Sequence, residues 1–216
     1  MKTQCVYCGT SNPETKDHIP PKNLFPQPRP ELVTVPCCEK CHKPTSLDDE
    51  IFRNMLTMSR NAEYHPDIPK ILDKVHRSFE RPEHLNMVKS LIATIEKVDL
   101  VGSSKENYSY RAEVERMDKV VSRIVRGLFW HENRKIYPIE GQITVYCLEF
   151  INFDNRSLFN KYNHIFIQTP TKTMGNKVFQ YKIAKLSEEY LEMWWMCFYE
   201  SIIYYAFLIP HSKNEK

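Results

Sequence analysis

The sequence predicts an α+β protein: a zinc-stapled module at its start, a helical middle, and a C-terminal, mostly antiparallel sheet with a packed helix. Three observations carry this expectation. Two Cys-x-x-Cys pairs, Cys5 with Cys8 and Cys38 with Cys41, bracket a proline-rich stretch. Apolar residues recur at helical spacing from about residue 67 to 98 and again from 112 to about 130. Beyond Pro138 the period falls to two, or to continuous runs rich in β-branched and aromatic residues.

The chain of 216 residues fits one domain, or a small module on a larger body. The expected division is residues 1–60 and 61–216, the second part holding a helical linker (61–98) and a helix plus antiparallel sheet (99–210). A hydrophobic content of 42%, with 12% aromatic, is enough for a core and excludes a disordered chain. The formal charge of +3 and a pI near 8.4 permit nucleic-acid binding without requiring it.

Taking the elements in order, residues 1 to about 46 carry seven prolines from Pro13 to Pro36, which rules out helix and leaves short strands and a long loop. Leu32 to Val35 reads as a strand feeding the second cysteine pair. Ser46, with Asp49 three residues on, reads as a capped helix start, and Ile51, Phe52, Met55 and Leu56 fall on one face of that helix. The helical middle uses Ile68, Ile71, Leu72, Val75 and Phe79, breaks at Arg81-Pro82, and resumes with Leu85, Val88, Leu91, Ile92 and Ile95. A turn and a strand are expected between Val98 and Tyr110, around Gly102, Ser103 and Ser104. In the helix from 112, Met117, Val121, Ile124 and Leu128 form the apolar stripe, and Arg116, Lys119, Arg123 and Arg126 line the other side. Strands are expected at Ile143–Leu148, His164–Ile167 and Val178–Ile183. The strongly apolar run Leu191–Pro210 splits at Glu200-Ser201 into a hairpin, because Glu192 and Glu200 would be costly in a bilayer. Ser212 to Lys216 reads as a polar tail, and no membrane association is expected.

Cys5, Cys8, Cys38 and Cys41 have the spacing of a structural zinc site, in which each pair turns two thiolates onto one ion. Cys37 is left out, since using it would break that spacing. No signal peptide is read in Met1 to Gln4, and zinc thiolates with Cys37, Cys147 and Cys197 to spare suit a cytoplasmic location. Between the pairs lies Lys16-Asp17-His18-Ile19-Pro20. Asp17 offers a hard oxygen ligand and His18 an imidazole that can take a proton from water, a combination that points to phosphodiester hydrolysis. Lys16, Lys22, Arg29, Lys40 and Lys43 cluster near this segment as candidate phosphate contacts. The stripe Arg116, Lys119, Arg123 and Arg126 is either a second phosphate track or a solvated face. Asp48, Asp49 and Glu50 read as a helix start, with Glu50, of these three, the candidate auxiliary metal ligand.

Cys-x-x-Cys, Asp-His-Ile-Pro-Pro-Lys, and Leu-Val-Thr-Val-Pro-Cys-Cys-x-x-Cys-His together resemble the HNH endonucleases with a zinc-ribbon ββα-metal fold, over about residues 5 to 60. Ser46–Arg53 and Val120–Leu128 are similar to a bacterial branch of that family with a longer C-terminal region. The resemblance implies that His18 is the general base, and that Asp17 and His42 hold a catalytic magnesium or manganese ion beside the structural zinc. Where the family's middle Asn stands, this chain has Glu31, which can accept backbone hydrogen bonds or add a carboxylate to the metal; Asn23 lies earlier in the loop, and both are candidate auxiliary residues. The function so implied is metal-dependent hydrolysis of DNA. A non-catalytic zinc-ribbon module binding nucleic acid or protein is the alternative, and a nuclease effector of bacterial defence or a mobile element is an alternative context. The oligomeric state is left open, a homodimer being one option.

Overall fold

The structure, a computed structural model, describes residues 3–99, 106–150, 163–186 and 191–209. The expected turn at Gly102, Ser103 and Ser104 and the tail from Ser212 lie outside them. The protein is mixed α and β. An N-terminal hairpin pairs β1 (Thr15–Ile19) antiparallel to β2 (Val33–Cys37), with Asp17 opposite Val35 and His18 opposite Thr34. A single helical turn, α1 (Glu39–His42), follows β2 directly, and then α2 (Thr45–Met58). The helical middle is α3 (Pro69–Phe79) and α4 (Leu85–Ile92). A small pair, β3 (Glu96–Val98) with β4 (Asn107–Ser109), leads to the long α5 (Val114–Asn133).

The C-terminal part is a five-stranded antiparallel sheet, order β5-β9-β8-β7-β6. Its strands are β5 (Gln142–Cys147), β6 (Lys172–Met174), β7 (Phe179–Lys185), β8 (Glu192–Phe198) and β9 (Ile202–Ile209). The membrane-like run is therefore a hairpin, turned at Tyr199 and Glu200, both with positive φ. It looks like a span because β8 is covered on both faces: Trp194, Met196 and Phe198 enter the main core, while Met193 and Trp195 pack with Phe166 and Tyr205 on the other side. Among the described residues, no helix is long and apolar enough to cross a membrane.

Four local expectations need correcting. The proline-rich start, read as excluding helix, holds a 3-10 turn at Lys22–Leu24 and the turn α1 after its last strand proline, Pro36. Residues 163–167, read as a strand through His164–Ile167, are helical. Only Phe166 of that run is fully buried, Ile167 being 76% exposed, and so short an apolar run carries no decisive period. The second middle helix stops at Ile92, three residues before Ile95. The Thr94 hydroxyl donates to the Leu91 carbonyl at 2.7 Å and accepts from the Arg111 amide at 3.1 Å, which ends the helix and starts β3. Ser46 does not cap α2. The helix begins at Thr45, whose hydroxyl donates to the His42 carbonyl at 2.8 Å and so continues α1.

Helix α5 is the spine that joins the parts. It packs on α2, on β1 and β2 of the hairpin, and on β5 of the sheet. Among the described residues, one apolar cluster runs from Val6 and Ile19 through Ile124 and Leu128 to Trp194 and Leu208. Gly127 of α5 packs directly on Ile19 of β1. A Cβ there would lie 2.5 Å from Cγ1 of the fully buried Ile19. Alanine gains about 1 kcal/mol over glycine in a helix, but overpacking a core typically costs about 1–3 kcal/mol. Gly127→Ala is therefore expected to lower the urea midpoint, and an unchanged or raised midpoint would mean that α5 can retreat from the hairpin.

Candidate functional site

The four cysteines of the two pairs converge. One ligand atom from each of Cys5, Cys8, Cys38 and Cys41 lies within 4.8 Å of every other, and the Cys8 and Cys38 sulfurs are 3.6 Å apart. A tetrahedral site with metal–sulfur bonds near ~2.3 Å needs sulfurs at about that spacing, so the donor set fits a metal such as zinc. The knuckles that build it are local. The Gly9 amide donates to the Cys5 carbonyl at 2.9 Å with Gly9 at φ +72, and the Cys41 and His42 amides donate to the Cys38 carbonyl at 3.1 and 3.0 Å. Hydrogen bonds from Thr10 bring the Cys8 thiol down to about 6. Burial, and hydrogen bonds shared with Cys8 and Cys38, raise the Cys41 thiol well above its ordinary value. Cys37 is not one of the four donors, although it packs against Cys5 and Cys38. Strand alternation puts it with Val35 on the buried side of β2, where burial pushes its thiol up to about 12.

Asp17 and His18 are neighbours in sequence and on opposite faces of β1, as a period of two requires. Asp17 points inward and is 4% exposed. Its Oδ2 accepts a hydrogen bond from the Tyr7 hydroxyl at 2.7 Å and lies 3.5 Å from Nε of Arg123. The same guanidinium donates to Asp49 of α2. Tyr7 of the first knuckle, Asp17 of β1, Asp49 of α2 and Arg123 of α5 thus form one buried polar hub. Helical spacing alone puts Arg123 on an open basic face; instead its side chain is 10% exposed, and the two acids hold it charged against the cost of burial. Burial lifts the Asp49 carboxyl to about 7 in spite of Arg123.

His18 lies on the outer face and is half-buried. Desolvation, then the charges of Lys22, Arg29 and His42, press its pKa below the ordinary value against the opposing charge of Asp17. A neutral imidazole beside cationic side chains is what results.

The loop after β1 is held from three sides. The Asn23 side-chain amide donates to the Asp49 carbonyl at 2.8 Å, tying the loop to α2. The Tyr199 hydroxyl, in the turn between β8 and β9, donates to the Leu24 carbonyl at 2.8 Å. Gly175, just after β6, has φ +66, and a Cβ there would come within 3.0 Å of the Phe25 ring. Glu31 is exposed, and it is Asn23 that ties this loop to α2.

The remaining candidates divide in two. Lys16, Lys22, Arg29, Lys40 and Lys43 are exposed, with Lys43 paired to Glu39 at 2.6 Å. Glu50 has no freedom as a ligand, because Arg53 and Arg81 bond its carboxylate at 3.4 and 3.0 Å. On α5, Arg116 pairs with Asp48 and Glu113, Arg126 donates to the carbonyls of Pro138, Ile139 and Gly141, and Lys119 is exposed. The stripe reads as a phosphate track only while those partners are unseen.

The catalytic cation implied by the resemblance does not fit Asp17, whose carboxylate is buried, accepts a hydrogen bond from Tyr7 and is ion-paired with Arg123. Without it, His42 is a lone protein ligand, and among the described residues the four cysteines are the one cluster of three or more donors able to hold a metal. Sequence reasoning misses Tyr7 and Tyr199, whose hydroxyls have no local signature, and misses that Asp17 and Asp49 cover Arg123. Compared with known proteins, the chain matches no family model, no curated protein and no solved structure.

Proposed function

We propose that the protein is an HNH-type endonuclease that hydrolyses phosphodiester bonds of DNA, with His18 as general base. The observation that carries this reading is the setting of His18: an imidazole kept neutral, on the outer face of a hairpin braced by a four-cysteine cluster, with Lys22 and Arg29 next to it. A neutral imidazole can accept the proton of an attacking water. The cationic side chains can take the negative charge of the scissile phosphate as it grows in the transition state. His42, whose charge also reaches His18, is the remaining member of the motif at hand. Asp17 serves here as a brace that fixes β1, and no step is routed through a cation bound to it.

The test is cleavage of supercoiled plasmid by the purified chain in magnesium or manganese, beside His18→Ala. General-base catalysis is worth about 10²–10⁴ in rate, so the variant is expected to lose at least ~10² in cleavage while keeping its melting midpoint. Equal cutting by both proteins would remove His18 from the mechanism. The second reading is a zinc-stapled nucleic-acid-binding module without cleavage, and the sealed Asp17 favours it. Retained binding with no cutting in any divalent metal would establish that reading instead.

A further inference from the structure

Outside the hairpin, one face of α3 is basic. Lys70, Lys74 and Arg77 recur on α3 at helical spacing, beside the buried Ile71, Val75 and Ser78. Lys70 is tied to Asp67 at 2.6 Å. Among the described residues, neither Lys74 nor Arg77 has an ion-pair partner. The Arg77 Nε donates to the backbone carbonyl of Asp73, which leaves the rest of its guanidinium outward, and Arg77 is exposed. The position of Lys74 is fixed from below. Arg53 of α2, 5% exposed, donates to the Lys74 carbonyl at 3.4 Å and locks α3 onto α2 at this point.

The link to the hairpin is Arg29. Its Nε donates to the Lys22 carbonyl at 3.1 Å, which holds it over the loop after β1. Its charge acts both on His18 and on Lys74. Burial, and then the positive charges of Arg29, Arg53 and Arg77, lower the pKa of Lys74. A run of cations on one helix face attracts a polyanion. The acids of this helix end, Asp73 and Glu80, sit about 100° or more around the axis from Lys74, but only about 40° and 60° from Arg77.

We infer that Lys22, Arg29, Lys74 and Arg77 form one phosphate-backbone track, so that nucleic acid lies across the loop and α3 and not along α5. This deepens the proposed function, on which it rests for the nature of the polyanion. The two ideas fail separately.

The experiment uses the full chain carrying His18→Ala, so that substrate survives, with a fluorescein-labelled 24-base-pair DNA duplex and its single strand. Binding is measured across a salt series. Removing one cation that meets a phosphate should flatten the slope of log affinity against log salt by about 1. Lys74→Gln and Arg77→Gln are each expected to flatten it by about that amount, while Lys119→Gln, on the rival α5 face, leaves it unchanged. An unaltered slope for both α3 variants, a flattened slope for Lys119→Gln alone, or absence of binding to either probe would overturn the inference. Cleavage by the chain with His18 intact, together with an unaltered slope in the α3 variants, would refute the track and keep the nuclease. A flattened slope without cleavage would do the reverse.

Discussion

Stripping metal from the four cysteines with a strong chelator is expected to unravel the N-terminal unit and to lower the thermal midpoint of the whole chain by about 10 °C or more. The reasoning starts from what else holds that unit. The knuckles contribute few apolar side chains to the core, chiefly Val6 and part of Tyr7, while Cys5, Cys37 and Cys38 form a separate small cluster. Structural zinc in small peptides contributes about 10–16 kcal/mol. If only ~4 kcal/mol of that is realised here, a chain of this size shifts by about 2–4 °C per kcal/mol. The loss spreads because Tyr7 and Asp17 lead from the knuckle to Arg123 and so to α5. The check is one metal equivalent per chain by elemental analysis, with melting before and after chelation. Cobalt substitution should give the absorption of a tetrahedral thiolate site. Because burial and sulfur neighbours make the Cys41 thiol hold its proton, metal affinity should fall as pH falls. A chain that melts identically without metal would show the cysteines to be packing residues only.

The parts of this fold legible in the sequence are those set by local spacing. Two Cys-x-x-Cys pairs need only a turn each to aim their sulfurs, and the four indeed meet. The break at Glu200-Ser201 marks a turn whatever the strands pack against, and β8 and β9 flank it. The stripe Met117, Val121, Ile124 and Leu128 is the buried face of α5 because a period of 3.6 holds within any helix. What is not legible depends on partners distant in the chain. Arg123 looks like any surface arginine until Asp17 and Asp49 are folded around it. Glu50 looks like an open ligand until Arg53 and Arg81 close on it. Asp17 and His18 look like a matched pair because adjacency in sequence hides that a strand turns them apart. Lys74 and Arg77 carry a readable signal, charges three apart beside an apolar stripe, yet only the position of Arg29 gives that signal a direction.

Arg123→Met is expected to be among the most destabilising single changes in this chain, costing about 3–5 kcal/mol, since it leaves buried carboxylates without their cation. Asp17 is 4% exposed and the Asp49 side chain 16%, so water cannot replace the guanidinium at either. The pH dependence gives the change a signature that a packing defect would not share. Asp49 in the folded protein holds its proton up to about 7, above the ~4 of an unfolded aspartate. A folded pKa raised in this way contributes stability that is fully present below the unfolded value and is lost as pH rises through the folded one. The parent should therefore lose some stability between about pH 4 and 7. Without Arg123 the acids can relieve their repulsion only by taking up a proton, so the variant should lose more over that window and be worst at about pH 8. Adding Asp49→Asn to Arg123→Met removes one of the two charges and should restore part of the loss, with a coupling of about 0.5–3 kcal/mol. Urea midpoints of the parent, the two single variants and the double variant, at about pH 5 and about pH 8, decide the matter. A deficit for Arg123→Met that is the same at both pH values, and additive with Asp49→Asn, would reduce the hub to simple packing. A pH-dependent, non-additive result would identify it as the electrostatic joint through which α5 holds the strand that carries His18.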